Sequence, residues 1–467
     1  MNHKMRLSRR DFIKTSALAA GTGLALRHEP FPVQKGNIAG KTITIAEVGS
    51  NFEREPLNRP FGFKGGYMRE IWQTVAMLKS NSGIIKTGLC SQSVLWSDAR
   101  VFASHSESGG NALMYAMTEY ALSLLKGRSF SDPVTLLDEL WPDVYDYGKK
   151  ICDRDDLRPT FALNALVGVD NAAWLIYAAE NNITGFDEMV PDLYKSALTC
   201  HQSKLASIPL MAYSVPVEEI RAAVDQGFFF IKIKIGQPGT EKEMLEKDMA
   251  RLTEIHKAIG NTHTSFTENG KLPYYFDANG RYENMDSLMR LLDHARKIGA
   301  FDQIAIIEEP FAEHLELDVH DIPVRIAADE RVHTVQDVIK CIQMGYRAVA
   351  LKAIAKTLSM TLKIARIAHE QSVPCFCADL TVNPVLVEWN KNIASRLAPF
   401  PGIEAGLLET NGQQNYRNWE IMRSYHPCNT ATWTQAKNGI FELNEDFYSK
   451  SGGIFTPSTH YDELVVR

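Results

Sequence analysis

From Phe161 onward, short apolar runs alternate with amphipathic helical segments, and five successive runs each close on a charged residue. The runs are Phe228–Lys234, Tyr274–Asp277, Ile304–Glu308, Ile326–Asp329 and Ala348–Lys352. Helical spacing marks intervening segments such as Met285–Ile298, Val335–Met344 and Leu358–His369. Apolar runs this short, separated by helix-length segments, predict parallel strands covered on both faces. So many units predict a closed barrel better than an open sheet. A helix over Leu163–Ala179 precedes an expected first strand at Pro209–Ser214, and Val373–Cys377 and Ile403–Leu408 complete the expected set.

Where charge falls on these strands points to chemistry. In a parallel barrel the C-terminal strand ends form the mouth of the site. One charged strand end is ordinarily a solvated loop entrance. Here Lys234, Asp277, Glu308, Asp329 and Lys352 follow one another in barrel order, three carboxylates bracketed by lysines. Three oxygen ligands from neighbouring strands suit a hard cation, Mg2+ with Mn2+ as the alternative, and leave positions open for substrate. A C–H beside a carboxylate is a very weak acid, so its removal requires a cation and nearby positive charge to take up the developing anion. A lysine whose pKa is lowered by neighbouring cations can act as the base. Lys232 lies two residues before Lys234, hence on the same strand face, and supplies such a cation. The alternative for Lys232-Ile233-Lys234 is alternating charge on an edge strand.

The preceding residues read differently. Thr42–Ile45 begins a strand, Pro60–Tyr67 is a Gly-rich segment expected to form a mobile surface loop, and Asn111–Lys126 and Asp132–Tyr147 carry helical spacing. Together they predict a small α+β domain. The net charge of -6 is scattered, with no basic run for nucleic acid or anionic membrane, so a small-molecule substrate is expected. Seven cysteines without a CxxC pair exclude a disulfide framework and a thiolate metal site, and Cys375 and Cys377 read as buried small apolar residues. Ser8-Arg9-Arg10-Asp11-Phe12-Ile13-Lys14, followed by a short Ala/Gly-rich apolar run, resembles a twin-arginine export signal. It implies a periplasmic enzyme handled by the twin-arginine machinery, membrane-tethered if the signal is not cleaved.

Taken jointly, Lys232-Ile233-Lys234, Asp277-Ala278-Asn279, Ile307-Glu308-Glu309-Pro310, Ala328-Asp329-Glu330 and Leu351-Lys352 resemble the enolase superfamily, specifically the muconate-lactonizing subgroup that includes dipeptide epimerases. The resemblance runs from about Thr42 to the C-terminus, since Gly439–Leu443 is similar to the strand that returns to the cap domain. It implies a modified TIM-type (β/α) barrel with an N-terminal α+β cap, divided as signal and linker 1–38, cap 39–155, barrel 156–412 and a returning segment 413–467. It further implies Asp277, Glu308 and Asp329 as magnesium ligands, Asn279 and Glu330 as their supports, and a homo-oligomer. Preference for Glu308 over the adjoining Glu309 rests on the family pattern alone. Lys234 and Lys352 become acid/base residues on opposite faces of the substrate, the arrangement a 1,1-proton transfer needs. The mandelate-racemase branch would show a late His-Asp pair, and the one late histidine near those strands, His369, falls in a helical segment.

These motifs leave the reaction open among epimerisation or racemisation, acid-sugar or hydroxy-acid dehydration, and cycloisomerisation. Dipeptide epimerases resemble one another in an Asp-x-Asp pair after the eighth strand that holds the substrate ammonium, whereas this chain has Glu409-Thr410-Asn411. Glu409 keeps a charge there and Asn411 does not. Asp379, after the seventh strand, is either a contact to a substrate hydroxyl or amine or a cap of the following helix. A non-catalytic binding protein on this scaffold should have lost a ligand or a lysine, and none is missing.

Overall fold

The Thr42–Ile45 run is the root of a longer strand. In the computed structural model, which describes residues 40–63 and 66–466, strand β1 (Ile43–Phe63) pairs antiparallel with β2 (Gly66–Ser80), and β2 with β3 (Ile85–Gln92). The short β4 (Ser129–Phe130) completes a sheet in the order β3-β2-β1-β4. Pairing persists through the Gly-rich segment, Phe61 opposite Met68 and Gly62 opposite Tyr67, so the expected loop is the arm of a hairpin. Register slips between Pro56 and Phe61, a stretch with prolines at 56 and 60 that have no N–H to give the ladder.

Three helices cover this sheet: Ala99–Leu125, Pro133–Cys152 and Pro159–Glu180. The first begins earlier than the periodicity predicts, because a break at Ser106 (φ 68, ψ 172) joins two helical pieces. Asp132 caps the second by accepting from the Val134 and Thr135 N–H groups, worth about 1 kcal/mol. The third is buried from Thr160 to Ala178. It meets the sheet backbone to backbone: a Cβ at Gly88 would lie 2.0 Å from the Gly168 carbonyl oxygen. Only glycine permits that approach.

The barrel begins before the expected first strand. β5 (Lys204–Ile208) and β6 (Leu210–Met211) are halves of one strand interrupted at Pro209. β5 pairs in parallel with β13 (Gly406–Glu409) and β6 with β7 (Ile231–Lys234), so the ring closes at the proline. Between them run β8 (Tyr274–Asp277), β9 (Ile304–Glu308), β10 (Ile326–Ala328), β11 (Ala348–Leu351) and β12 (Cys375–Cys377), each parallel to its neighbours. This is a modified TIM-type (β/α) barrel with an N-terminal α+β cap. β7 lies inside the ring, which removes the edge-strand reading of Lys232. All seven cysteines are free thiols, and Cys375 and Cys377 are buried on β12.

The end of the chain corrects one expectation. β14 (Ile440–Glu442) pairs antiparallel with β5 of the barrel, not with the cap sheet. The helix Thr459–Val466 is what returns to the cap: the Asn51 side chain donates to the Leu464 carbonyl at 2.8 Å, and His460 Nε2 lies 2.9 Å from Glu53. The export motif at Ser8–Lys14 lies outside the described residues.

Candidate active site

Parallel register levels the strand ends. Lys234 pairs with Asp277 and Asp277 with Glu308, while Asp329 and Lys352 directly follow β10 and β11. Side chains of Lys232 and Lys234 share a face because strand residues alternate. None of these six charged residues is more than 7% exposed. Burial of that degree demands partners, since stripping one member from a buried ion pair costs about 3–5 kcal/mol.

Lys232 Nζ lies 2.9 Å from Asp277 Oδ2, 3.0 Å from Glu308 Oε2 and 3.1 Å from Glu409 Oε2. Lys234 Nζ donates to Asp277 Oδ2 at 2.6 Å and to Asn279 Oδ1 at 2.5 Å. Lys352 pairs with Asp329 Oδ2, and Asn279 Nδ2 donates to Glu330 Oε1 at 2.8 Å. Burial pushes the Asp277 carboxyl up, but Lys232 and Lys234 more than offset it and hold the group at about 2. Burial likewise opposes the charge of Asp329, and Lys352 and Lys356 drive its carboxyl well below the usual range. At Glu308 burial prevails and lifts the carboxyl to about 8. Desolvation works against the Lys232 ammonium, yet Asp277, Glu308 and Glu409 raise it well above an ordinary lysine.

Backbone geometry separates the two adjacent glutamates, between which the sequence offered the family pattern alone as a ground for preferring Glu308. Glu309 has a positive φ of 39 and turns to Arg331 Nε at 3.0 Å and the Asp329 N–H at 2.8 Å, while Glu308 joins the lysine network. The three substrate candidates also meet. Asp379 Oδ2 accepts from the Asn411 N–H at 2.7 Å, Glu409 Oε2 from the Asp379 N–H at 3.2 Å, and Asn411 Oδ1 from Thr381 Oγ1 at 2.6 Å. Asn383, not Asp379, caps the following helix Pro384–Ala394, so the capping alternative for Asp379 falls away. Glu409 spends its charge on Lys232, whereas Asp379 is raised to about 7 by burial and by the nearby Glu409.

Charge bookkeeping tests the fit to a cation. Six buried carboxyl groups, Asp277, Glu308, Asp329, Glu330, Asp379 and Glu409, gather with four buried ammonium groups, Lys232, Lys234, Lys352 and Lys356, and the raised Glu308 and Asp379 carboxyls relieve the crowding by holding protons more readily. Glu308 Oε2 is buried and has the Lys232 ammonium at 3.0 Å but no hydrogen bond of good geometry. Among the described residues, Glu308, Asp329 and Glu330 bring their ligand oxygens within 4.8 Å of one another. An all-oxygen donor set of crowded, buried carboxyl groups fits a hard divalent cation. Asp277, expected as the third ligand, borders this cluster and is drawn to two lysines; Glu330, expected as a support, is inside it.

Sequence reading missed two groups. Lys356 Nζ, one helical turn beyond Lys352, donates to the Asp329 carbonyl at 2.7 Å and lies 3.4 Å from Asp329 Oδ1. A Lys-x-x-x-Lys spacing was visible but is ordinary on any helix. Trp96, from the cap, lines the pocket with Phe61 and Met68 of the hairpin arm, and it had no signal at all.

A capped (β/α) barrel whose mouth holds buried carboxylates between lysines defines the class of this protein. Residues 216–398 match the family model described as enolase C-terminal domain-like. The whole fold is similar to a mandelate racemase/muconate lactonizing protein from Herpetosiphon aurantiacus at 14% identity, over 86% of this chain and 96% of that one, with a TM-score of 0.60. It is similar to a dipeptide epimerase from Enterococcus faecalis V583 complexed with Mg and L-Leu-L-Tyr, at 15% identity, 86% and 98% coverage and a TM-score of 0.59. The L-Ala-D/L-Glu epimerase from Bacillus subtilis resembles it at 16% identity, 80% and 92% coverage and a TM-score of 0.56. Identities this low carry the fold. No curated protein matches the sequence.

Proposed function

We propose that the protein is a magnesium-dependent isomerase that removes a proton next to a substrate carboxylate and returns one to the opposite face of the same carbon. One observation carries the reading. Lys234 ends β7 and Lys352 follows β11, four strands apart in an eight-membered ring, so the two bases approach the mouth from opposite sides. Glu308 and Asp329 would hold Mg2+, with Asp277 completing the set by strand order and Glu330 competing for that place by proximity. When bound, the metal supplies positive charge to a carboxylate that gains a second negative charge as the proton leaves. Lys234 or Lys352 takes the proton, according to which face carries it, and the other lysine delivers one. Lys232 stays protonated between Asp277, Glu308 and Glu409 and contributes fixed positive charge. Asp379, Glu409 and Asn411 sit at the ends of the last two strands, where they would contact the remainder of the substrate. We further propose export by the twin-arginine route to the periplasm and assembly as a homo-oligomer.

The test is incubation of magnesium-loaded protein with candidate α-substituted carboxylic acids in deuterium oxide. Deuterium at the α-carbon without loss of water is expected, and chelation should abolish it. Loss of water would replace epimerisation by dehydration. Undiminished exchange in metal-free protein would remove the metal assignment.

A further inference from the structure

The turn that carries Asp329 and Glu330 is held through its backbone. Glu309 Oε1 accepts from the Asp329 N–H at 2.8 Å and from the Arg331 N–H at 3.3 Å. Lys356 Nζ donates to the Asp329 carbonyl at 2.7 Å. The next carbonyl, that of Glu330, accepts from Arg158 Nη2 at 2.9 Å. Arg158 stands immediately before the helix Pro159–Glu180, 172 positions earlier in the chain, and its side chain is 14% exposed.

Every donor of that guanidinium is engaged. Nε and Nη2 donate to Glu313 Oε2 at 3.2 and 2.9 Å, Nη1 donates to the Trp96 and Ser97 carbonyls at 3.2 and 3.1 Å, and Nη2 makes the fifth bond, to Glu330. A guanidinium has five N–H groups in a rigid planar fork, so this one cannot turn without breaking several bonds at once. Its surroundings are fixed in turn. Glu313 Oε1 lies 2.6 Å from His333 Nε2, whose Nδ1 meets the Thr160 hydroxyl, and the Arg158 N–H donates to Asp98 Oδ2 at 3.0 Å. One residue thus joins the cap turn Trp96–Ser97 to the turn that carries two of the three clustered carboxylates, Asp329 and Glu330.

Metal affinity depends on such supports, because ligand oxygens already in place lose less freedom on binding. Arg158 is also a positive charge, and by Coulomb repulsion alone it opposes a divalent cation nearby. Its removal separates the two effects by sign. Lost repulsion strengthens metal binding, whereas a loosened turn weakens it.

We propose that Arg158 is a positioning residue for the metal site: its guanidinium bolts the Asp329–Glu330 turn to the cap, so the cap tightens magnesium binding by ligands that all lie on the barrel. This rests on the magnesium reading above and adds the cap to it as a determinant of metal affinity.

Calorimetric Mg2+ titration of the full chain tests it without substrate or turnover, with circular dichroism to verify the fold of each variant. Arg158→Met is expected to weaken binding by about tenfold or more, the scale on which lost supports act. Arg158→Lys keeps the charge but not the five-donor fork; it should recover only part of the loss, and it carries the test if Arg158→Met does not fold. Ser359→Ala removes the hydroxyl that donates to Asp170, a second tie of the same helix to the barrel, and should bind Mg2+ within about twofold of the native chain. Native affinity in Arg158→Lys, or unchanged or tighter binding in Arg158→Met, overturns the proposal. Equal weakening in Ser359→Ala also overturns it and makes Arg158 a general fastener of cap to barrel. A native chain that binds no Mg2+ would instead strike the magnesium reading itself.

Discussion

Asp277 and Glu330 contend for one position beside Glu308 and Asp329, and mutation can rank them. Asp277 Oδ1 accepts from the Asn279 N–H at 3.0 Å and its other oxygen faces Lys232 and Lys234, while Glu330 Oε1 accepts from the Asn279 side chain at 2.8 Å. Loss of a supporting partner lowers metal affinity by about 10- to 100-fold, and loss of a ligand should cost more. Calorimetric titration is expected to show Asp277→Asn weakening Mg2+ binding beyond that range and Glu330→Gln within it. The reverse order would make Glu330 the ligand and Asp277 the anchor of the lysines. At this scale the structure gathers Lys232 and Glu308 into one buried network, as residue type and strand position led one to expect. Nothing local separates Glu308 from Glu309, because the deciding turn of Glu309 onto Arg331 depends on a residue from another strand end.

Among the elements, the helix Pro159–Glu180 joins cap to barrel through a buried carboxylate. Asp170 accepts from the Ser359 hydroxyl at 2.5 Å and from its N–H at 3.1 Å, at the start of the helix Leu358–Glu370. Burial lifts its carboxyl to about 7. The folded chain therefore keeps a proton that the unfolded chain releases near pH 4, so stability from this group is full below that pH and is lost as pH rises through about 7. A shift of that size corresponds to at most roughly 4 kcal/mol. Urea unfolding of Asp170→Asn and the native chain should show the native chain losing ground to the variant between about pH 4 and pH 8. Parallel pH profiles would place the shift elsewhere. Strands and helices of the barrel were legible because their periods are local, and the spans Tyr274–Asp277, Ile304–Glu308 and Met285–Ile298 agree with the sequence reading residue for residue. The hairpin arm was not, since glycines and prolines at Pro60–Tyr67 signal a loop and only pairing with β2 makes them a strand.

For the whole molecule, the proposed route out of the cytoplasm bears on how the metal is acquired. A twin-arginine signal is read by a receptor for its arginines and not for charge alone. Arg9→Lys with Arg10→Lys should hold the protein in the cytoplasm, folded and able to bind magnesium, as judged by cell fractionation. Unchanged export would remove the signal reading and with it the periplasmic assignment.

The sequence by itself determined the barrel and its chemistry-bearing strand ends. Alternation at periods of 2 and 3.6 is written in neighbouring residues, and in a parallel barrel each strand's last residue goes to the mouth whatever the rest of the fold does. Tertiary structure alone decided where the ring closes, at Pro209, and which groups surround the bases. Trp96 reaches Lys352 from 256 positions away in the chain, and Arg158 spans 172 positions to the Glu330 carbonyl. Contacts of that separation are set by how the cap lies on the barrel, and no periodicity in either segment encodes them.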